Sequence, residues 1–210
     1  RAASLLEGEF EHWKASHNPA VGVLFDAKSQ RTINISGQSL SFTTKNIELI
    51  QDPFSEISRF IVLLLSESDI VEIGRIGVRR LSLDSTGKSY DDYVEKFFKE
   101  FYGSQKQLRD IAADKLDDVV LVLQGIKESF HNRNQAGPIK ESQIDQLYGY
   151  EEYETVGDIE LGGKTGVLID TDVYSLKKVD LDDALKDIEA IIKVSYDIHR
   201  DMKRCVEDKI

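Results

Sequence analysis

Hydrophobic and polar positions along this chain repeat with two periods, and the switches between period two and period 3.6 mark out its elements. The longest β-like run is Ile70 to Leu83. Written as a strand, it puts Val71, Ile73, Arg75, Gly77, Arg79, Leu81 and Leu83 on one face, and Ile70, Glu72, Gly74, Ile76, Val78, Arg80 and Ser82 on the other. Arg75 and Arg79 then flank Gly77, about 13 Å apart from the rise per residue, with no side chain between them. The apolar parity wavers at Gly74-Arg75 and at Arg79-Arg80. A β-bulge produces such a pattern and would re-aim the arginines.

Taken in order, Ser4 to Ser16 predicts a helix: Ser4 and Glu7 fit a capping box, Leu6, Phe10 and Trp13 share a face, and Asn18-Pro19 ends it. Val21–Phe25, Arg31–Ser36, Leu40–Thr44 and Ile47–Ile50 read as short strands of an antiparallel meander with turns such as Ser36-Gly37-Gln38. Asp52-Pro53 opens a helix striped with Phe54, Ile57, Phe60, Ile61 and Leu64. Ser89 to Asp92 opens another, with Val94, Phe97, Phe98 and Phe101 at one-face spacing and Gly103 as its stop. The stretch from Ser104 to Asp118 reads as a short helix plus loop. Val119 to Leu123, five apolar residues in a row, predicts a strand covered on both faces. From His131 to Gly163 periodicity fails, and Pro138 with several glycines predicts a long loop excursion with at most an edge strand. Gly166–Leu176 is again a strand. Asp180 caps the last helix, whose stripe of Leu181, Ala184, Leu185, Ile188, Ile191, Ile192, Ser195, Ile198, His199, Met202, Cys205 and Val206 continues for about seven turns.

This order predicts one α+β domain over residues 1–210: a mostly antiparallel sheet with helices packed on it, a long C-terminal helix and the excursion at 131–163. Each half closes on a strand followed by a helix, which raises the idea of a diverged internal duplication.

Charge and cysteine usage narrow the classes of function. Acidic residues outnumber basic ones 38 to 27, giving a net charge of −11, and a general nucleic-acid-binding surface usually carries the opposite balance. The single Cys205 excludes an internal disulfide and a cysteine-based zinc cluster, in keeping with a reducing cytoplasm. The apolar run Ile61 to Leu65 falls far short of the ~20 residues of a membrane span, and no signal peptide is visible. The chain opens on Arg1 rather than Met, so a preceding strand could be missing.

Arg75-Ile76-Gly77-Val78-Arg79, then Val167-Leu168-Ile169-Asp170-Thr171-Asp172-Val173-Tyr174, then a long helix with His199 together resemble a family of sporadically distributed prokaryotic proteins. Its members carry an R-x-G-x-R strand after a helix and a D-x-D-x-aromatic strand before a final helix with a histidine. Two departures stand out. Arg80-Leu81-Ser82 replaces the tyrosine and asparagine that often follow the second arginine, and no initial strand precedes Ser4. The family has no established activity, so the resemblance implies a prokaryotic, cytoplasmic origin and passes on no catalytic residue.

Asp170 and Asp172 share a strand face, and two carboxylates at this spacing could hold Mg²⁺ or Mn²⁺. The plainer reading, and the favoured one, pairs them with Arg75 and Arg79 on a neighbouring strand. Arg75, Arg79 and Arg80 could instead hold a phosphate or carboxylate, a task that suits bidentate guanidinium. Gly162-Gly163-Lys164-Thr165 fails as a phosphate-binding loop, because Gly157 lies one residue too early and a strand follows. Ser195 and His199, one helical turn apart, offer no nucleophile elbow, which leaves His199 as a core or interface residue. His12, His17 and His131 have no metal-ligand spacing. His131 to Gln135 reads as a solvated loop. Tyr148, Tyr150 and Tyr153 among Glu151, Glu152 and Glu154 are the best contact candidates for a partner protein.

Together these features predict a non-catalytic interaction or regulatory protein of a prokaryotic cytoplasm that needs no cofactor. It would bind another protein through the excursion, or itself through the C-terminal helix. A sensor of a small anionic ligand at the arginine strand is the alternative, and a metal-dependent hydrolase or nuclease on Asp170 and Asp172 the third reading.

Overall fold

The computed structural model describes residues 10, 12–17, 20–26, 31–36, 39–44, 53–65, 72–84, 87–103, 116–140, 142–143 and 165–210. The α+β class is as expected, but the strands form two four-stranded antiparallel sheets rather than one. Each sheet belongs to its own compact unit, one built from the described residues up to Leu65, the other from Glu72 onward.

In the first unit β1 (His12–His17), β2 (Ala20–Asp26), β3 (Arg31–Ser36) and β4 (Leu40–Thr44) form a meander in chain order. Alternation puts Leu24 opposite Ile33 and Ile33 opposite Phe42. Leu24 and Ile33 are buried with Phe60 of α1 (Pro53–Leu65), whose ring stacks on Phe42 at 5.6 Å and meets Phe10 edge-on at 5.5 Å. The helix expected over residues 4–16 is overturned where it can be seen. His12–His17 is a strand, in register with β2 from His12↔Phe25 to His17↔Ala20, and this ladder outweighs the helical spacing of Phe10 and Trp13. Ser4, Glu7 and the strand expected at Ile47–Ile50 lie outside the described residues.

In the second unit the sheet runs β5 (Ile76–Asp84), β8 (Gly166–Ser175), β7 (Phe130–Ile139), β6 (Leu121–Lys127). This order differs from the first sheet's, so the described residues lend no support to an internal duplication. Two helices pack on one face, α2 (Tyr90–Tyr102) against β7 and α3 (Leu181–Glu207) against β5 and β8. Both start as the sequence signals: Ser89 Oγ accepts from Asp92 N–H at 3.2 Å, and Asp180 Oδ1 accepts from Asp183 N–H at 2.9 Å. Tyr93 and Phe97 of α2 and Met202 and Val206 of α3 close over Ala136, Val167 and Ile169. The apolar stripe of α3 is thereby spent on its own sheet, with Ala184, Ile188, Ile191 and Val194 buried.

Three expectations change here. The run from Ile70 breaks at Gly74-Arg75: Ile73 makes an isolated bridge to Val179, and β5 begins at Ile76. Its register with β8 is continuous from Ile76↔Ser175 to Asp84↔Val167, with no bulge. Second, the start of the 131–163 excursion is β7, an inner strand of the sheet. Pro138 is tolerated because β6 pairs no further along β7 than Ala136, so the missing N–H falls beyond that ladder. Gly137 is needed at the same point, since a Cβ there would meet the Val119 carbonyl oxygen at 2.7 Å. Third, the strand expected to be covered on both faces is β6, which is the sheet's edge, and its residues from Val122 to Lys127 are exposed.

Candidate functional site

Strand alternation gives the second sheet two chemically distinct faces. Ile76, Val78, Arg80 and Ser82 of β5 and Val167, Ile169, Thr171 and Val173 of β8 lie on the helix-covered face. Arg79, Leu81 and Leu83 with Leu168, Asp170, Asp172 and Tyr174 lie on the opposite one, joined by His131, Arg133 and Gln135 of β7.

On that opposite face Arg79 reaches diagonally across the ladder to Asp170. Its Nε donates to Oδ1 at 2.9 Å and its Nη2 to Oδ2 at 2.7 Å, a bidentate pair. The Asp170 side chain is only 6% exposed while that of Arg79 is 53% exposed, so the guanidinium lids a buried carboxylate. The hydrogen bond to Asp170 raises the Arg79 pKa against the opposing effect of burial. Arg75, just ahead of β5, donates from Nη2 to Asp172 Oδ2 at 3.1 Å and lies over the Tyr174 ring, 4.9 Å from its centroid. Tyr174 stacks in turn on His131 at 5.5 Å. The gap expected beside Gly77 is therefore occupied. A Cβ at Gly77 would meet the Tyr174 Cβ at 3.0 Å, so the glycine of R-x-G-x-R makes room for the aromatic of D-x-D-x-aromatic. Arg133 stands opposite Asp172 from the β7 side and adds a third arginine to the face.

Arg80 does not join the other two. It points under α3, where Nε donates to Ser195 Oγ at 2.9 Å and Nη2 to the Ile192 carbonyl at 3.3 Å, and burial lowers its pKa. Ser195 Oγ donates to the same carbonyl at 2.8 Å, so its proton is committed to the backbone rather than to His199. His199 bridges the helix and two strands, with Nδ1 3.0 Å from Thr171 Oγ1 and Nε2 3.1 Å from Ser82 Oγ. Burial, then the nearby charges of Arg80 and Lys203, push its pKa down to about 4. Asn134, buried on β7 opposite Thr171, donates from Nδ2 to Asn132 Oδ1 at 2.8 Å, and its own Oδ1 has no hydrogen-bond partner among the described residues. Sequence reasoning missed this polar seam. The shared parity of Arg80 and Ser82 was its visible signal.

Asp170 and Asp172 are thus the carboxylate halves of arginine pairs, and no group of three or more His, Cys, Asp or Glu among the described residues could hold a metal ion. Tyr148, Tyr150 and Tyr153 lie outside the described residues. No helix among the described residues is long and apolar enough to cross a membrane. Cys205 is a free, exposed thiol. What the sequence did not flag is that β6 is an open edge. It pairs with β7 on one side, and Val122, Leu123 and Ile126 are 45%, 50% and 68% exposed. No family model, curated protein or solved structure matches the chain.

Proposed function

We propose that this is a non-catalytic protein-interaction protein that docks partner protein along the β6 edge and the adjoining arginine-tyrosine face of its second sheet. The observation that carries the reading is the edge itself. Apolar side chains stand in water beside a row of backbone groups that β7 leaves unused, which is a template for an added strand. Arg75, Arg133, His131 and Tyr174 extend the surface with residue types that serve as anchors in protein interfaces. An anionic ligand would have to displace Asp170 or Asp172 from guanidinium groups they already hold, and a cation would have to displace the guanidinium groups. Both alternatives therefore begin at a disadvantage. We place the protein in a prokaryotic cytoplasm, where a lone exposed thiol stays reduced.

A photo-reactive amino acid at Gln124, which is exposed on β6, tests the reading in cells. A discrete cross-linked protein adduct is expected there and not from Glu189, exposed on α3. No adduct at Gln124, or equal adducts at both positions, overturns it.

A further inference from the structure

The edge has a property that selects among partners: it is complementary to itself. We infer that β6 pairs antiparallel with β6 of a second copy about a two-fold axis through Gln124, joining two four-stranded sheets into one continuous sheet. This rests on the docking reading above and names its partner.

Three observations on β6 support a second copy. In the first place, a two-fold axis at Gln124 uses the whole strand, setting Leu121 against Lys127 of the copy, Val122 against Ile126, Leu123 against Gly125 and Gln124 against itself. Side chains directly opposite share a face, so the exposed Val122 and Ile126 cover one another twice over. Then there is the fit at Gly125. A Cβ there would have nothing nearer than the Asn132 side-chain amide at 4.0 Å, which leaves an open notch where the half-exposed Leu123 of the copy would lie. The third observation is charge. Natural edge strands resist self-pairing with charges spaced along them, yet Lys127 is the only charged residue in β6, and it would face Leu121, not another lysine. On a chain with a net charge of −11, this strand lets two copies approach without opposing like charges.

Sedimentation of the full chain is expected to show a dimer. Val122→Lys with Ile126→Lys sets lysines opposite one another at two places, and should weaken association by roughly tenfold or more while leaving the circular dichroism spectrum unchanged. The matching glutamate pair should do the same. An equal mixture of the two variants should re-associate as a heterodimer, an outcome that loss of folding could not give. Register is read separately in a Cys205→Ser background. Gln124→Cys should form a covalent dimer on oxidation, whereas Val122→Cys alone should not, because its counterpart across the axis is residue 126. A wild type that is monomeric at high micromolar concentration overturns the self-pairing, as does a dimer indifferent to both charged pairs. In those cases a Gln124 photo-adduct to a different protein would still uphold the docking reading, whereas no adduct would remove both.

Discussion

Asp170 shows how much one residue's surroundings decide. Its carboxylate is buried, and Arg79 is the group that meets both oxygens. Arg79→Ala should therefore cost about 2–3 kcal/mol in urea denaturation, somewhat under the usual one-sided loss because the guanidinium is half in water. Asp172→Ala removes a more exposed pair and should cost under about 1 kcal/mol. Arg79→Met combined with Asp170→Leu should recover most of the loss, since apolar neighbours Leu81 and Leu168 are already there. A double variant as unstable as Arg79→Ala would show that the pair does more than compensate its own burial. His199 makes a second residue-scale prediction. The imidazole is neutral in folded and unfolded chains above about pH 6.5. As the pH falls toward 4 the unfolded chain takes up a proton that the folded one refuses, so stability declines through that window. Partial exposure limits the decline to on the order of 1–2 kcal/mol. The stability difference between wild type and His199→Gln should shrink by that amount from pH 7 to pH 4, and a difference constant with pH would refute the assignment. Much of this was legible in the sequence. Strand parity alone placed Arg75 and Arg79 together, paired them plausibly with Asp170 and Asp172, and put Arg80 on the other face, where the structure has it.

At the scale of elements, the presence of a strand or a capped helix was easier to read than whether a strand is covered, although the helix expected over residues 4–16 gave way to the strand His12–His17. The stripes of α1, α2 and α3 and the caps of α2 and α3 are local signals, and the structure follows them to within a residue or two. Whether a strand is covered depends on neighbours distant in sequence. Val119 to Leu123 therefore looked like a buried strand, although its apolar character belongs to an open edge. The β6–β7 hairpin was missed because its turn lacks the usual residues. Glu128 and Ser129 sit at φ values of 51° and 72°, the left-handed geometry of a two-residue hairpin turn, without the asparagine or glycine that favours it. Glu128→Asn with Ser129→Gly should relieve that strain and raise stability by about 1 kcal/mol, read as an increase in Tm. No gain would mean that contacts of Glu128 or Ser129 offset the strain.

At the scale of the whole molecule, the expectation of a single sheet failed for a physical reason: either half of the chain supplies enough alternating strands and at least one striped helix to close a core. Leu24, Ile33 and Phe60 form one such core, and Tyr93, Phe97, Ile169, Met202 and their neighbours another, each drawn from one unit only. Alternation shows that strands exist and which face is apolar, but not which strands share a ladder. The second unit, residues 72–152 and 160–210, contains its own sheet, both helix caps, the arginine pairs and the β6 edge, so a chain of residues 72–210 should fold without residues 1–71. A chain of this length is long enough for a self-sufficient core. Expressed alone, the fragment should unfold in one cooperative transition and keep the pH response assigned to His199, whose contacts Ser82 and Thr171 it includes. A fragment lacking a cooperative transition would show instead that the second core needs the first 71 residues to close.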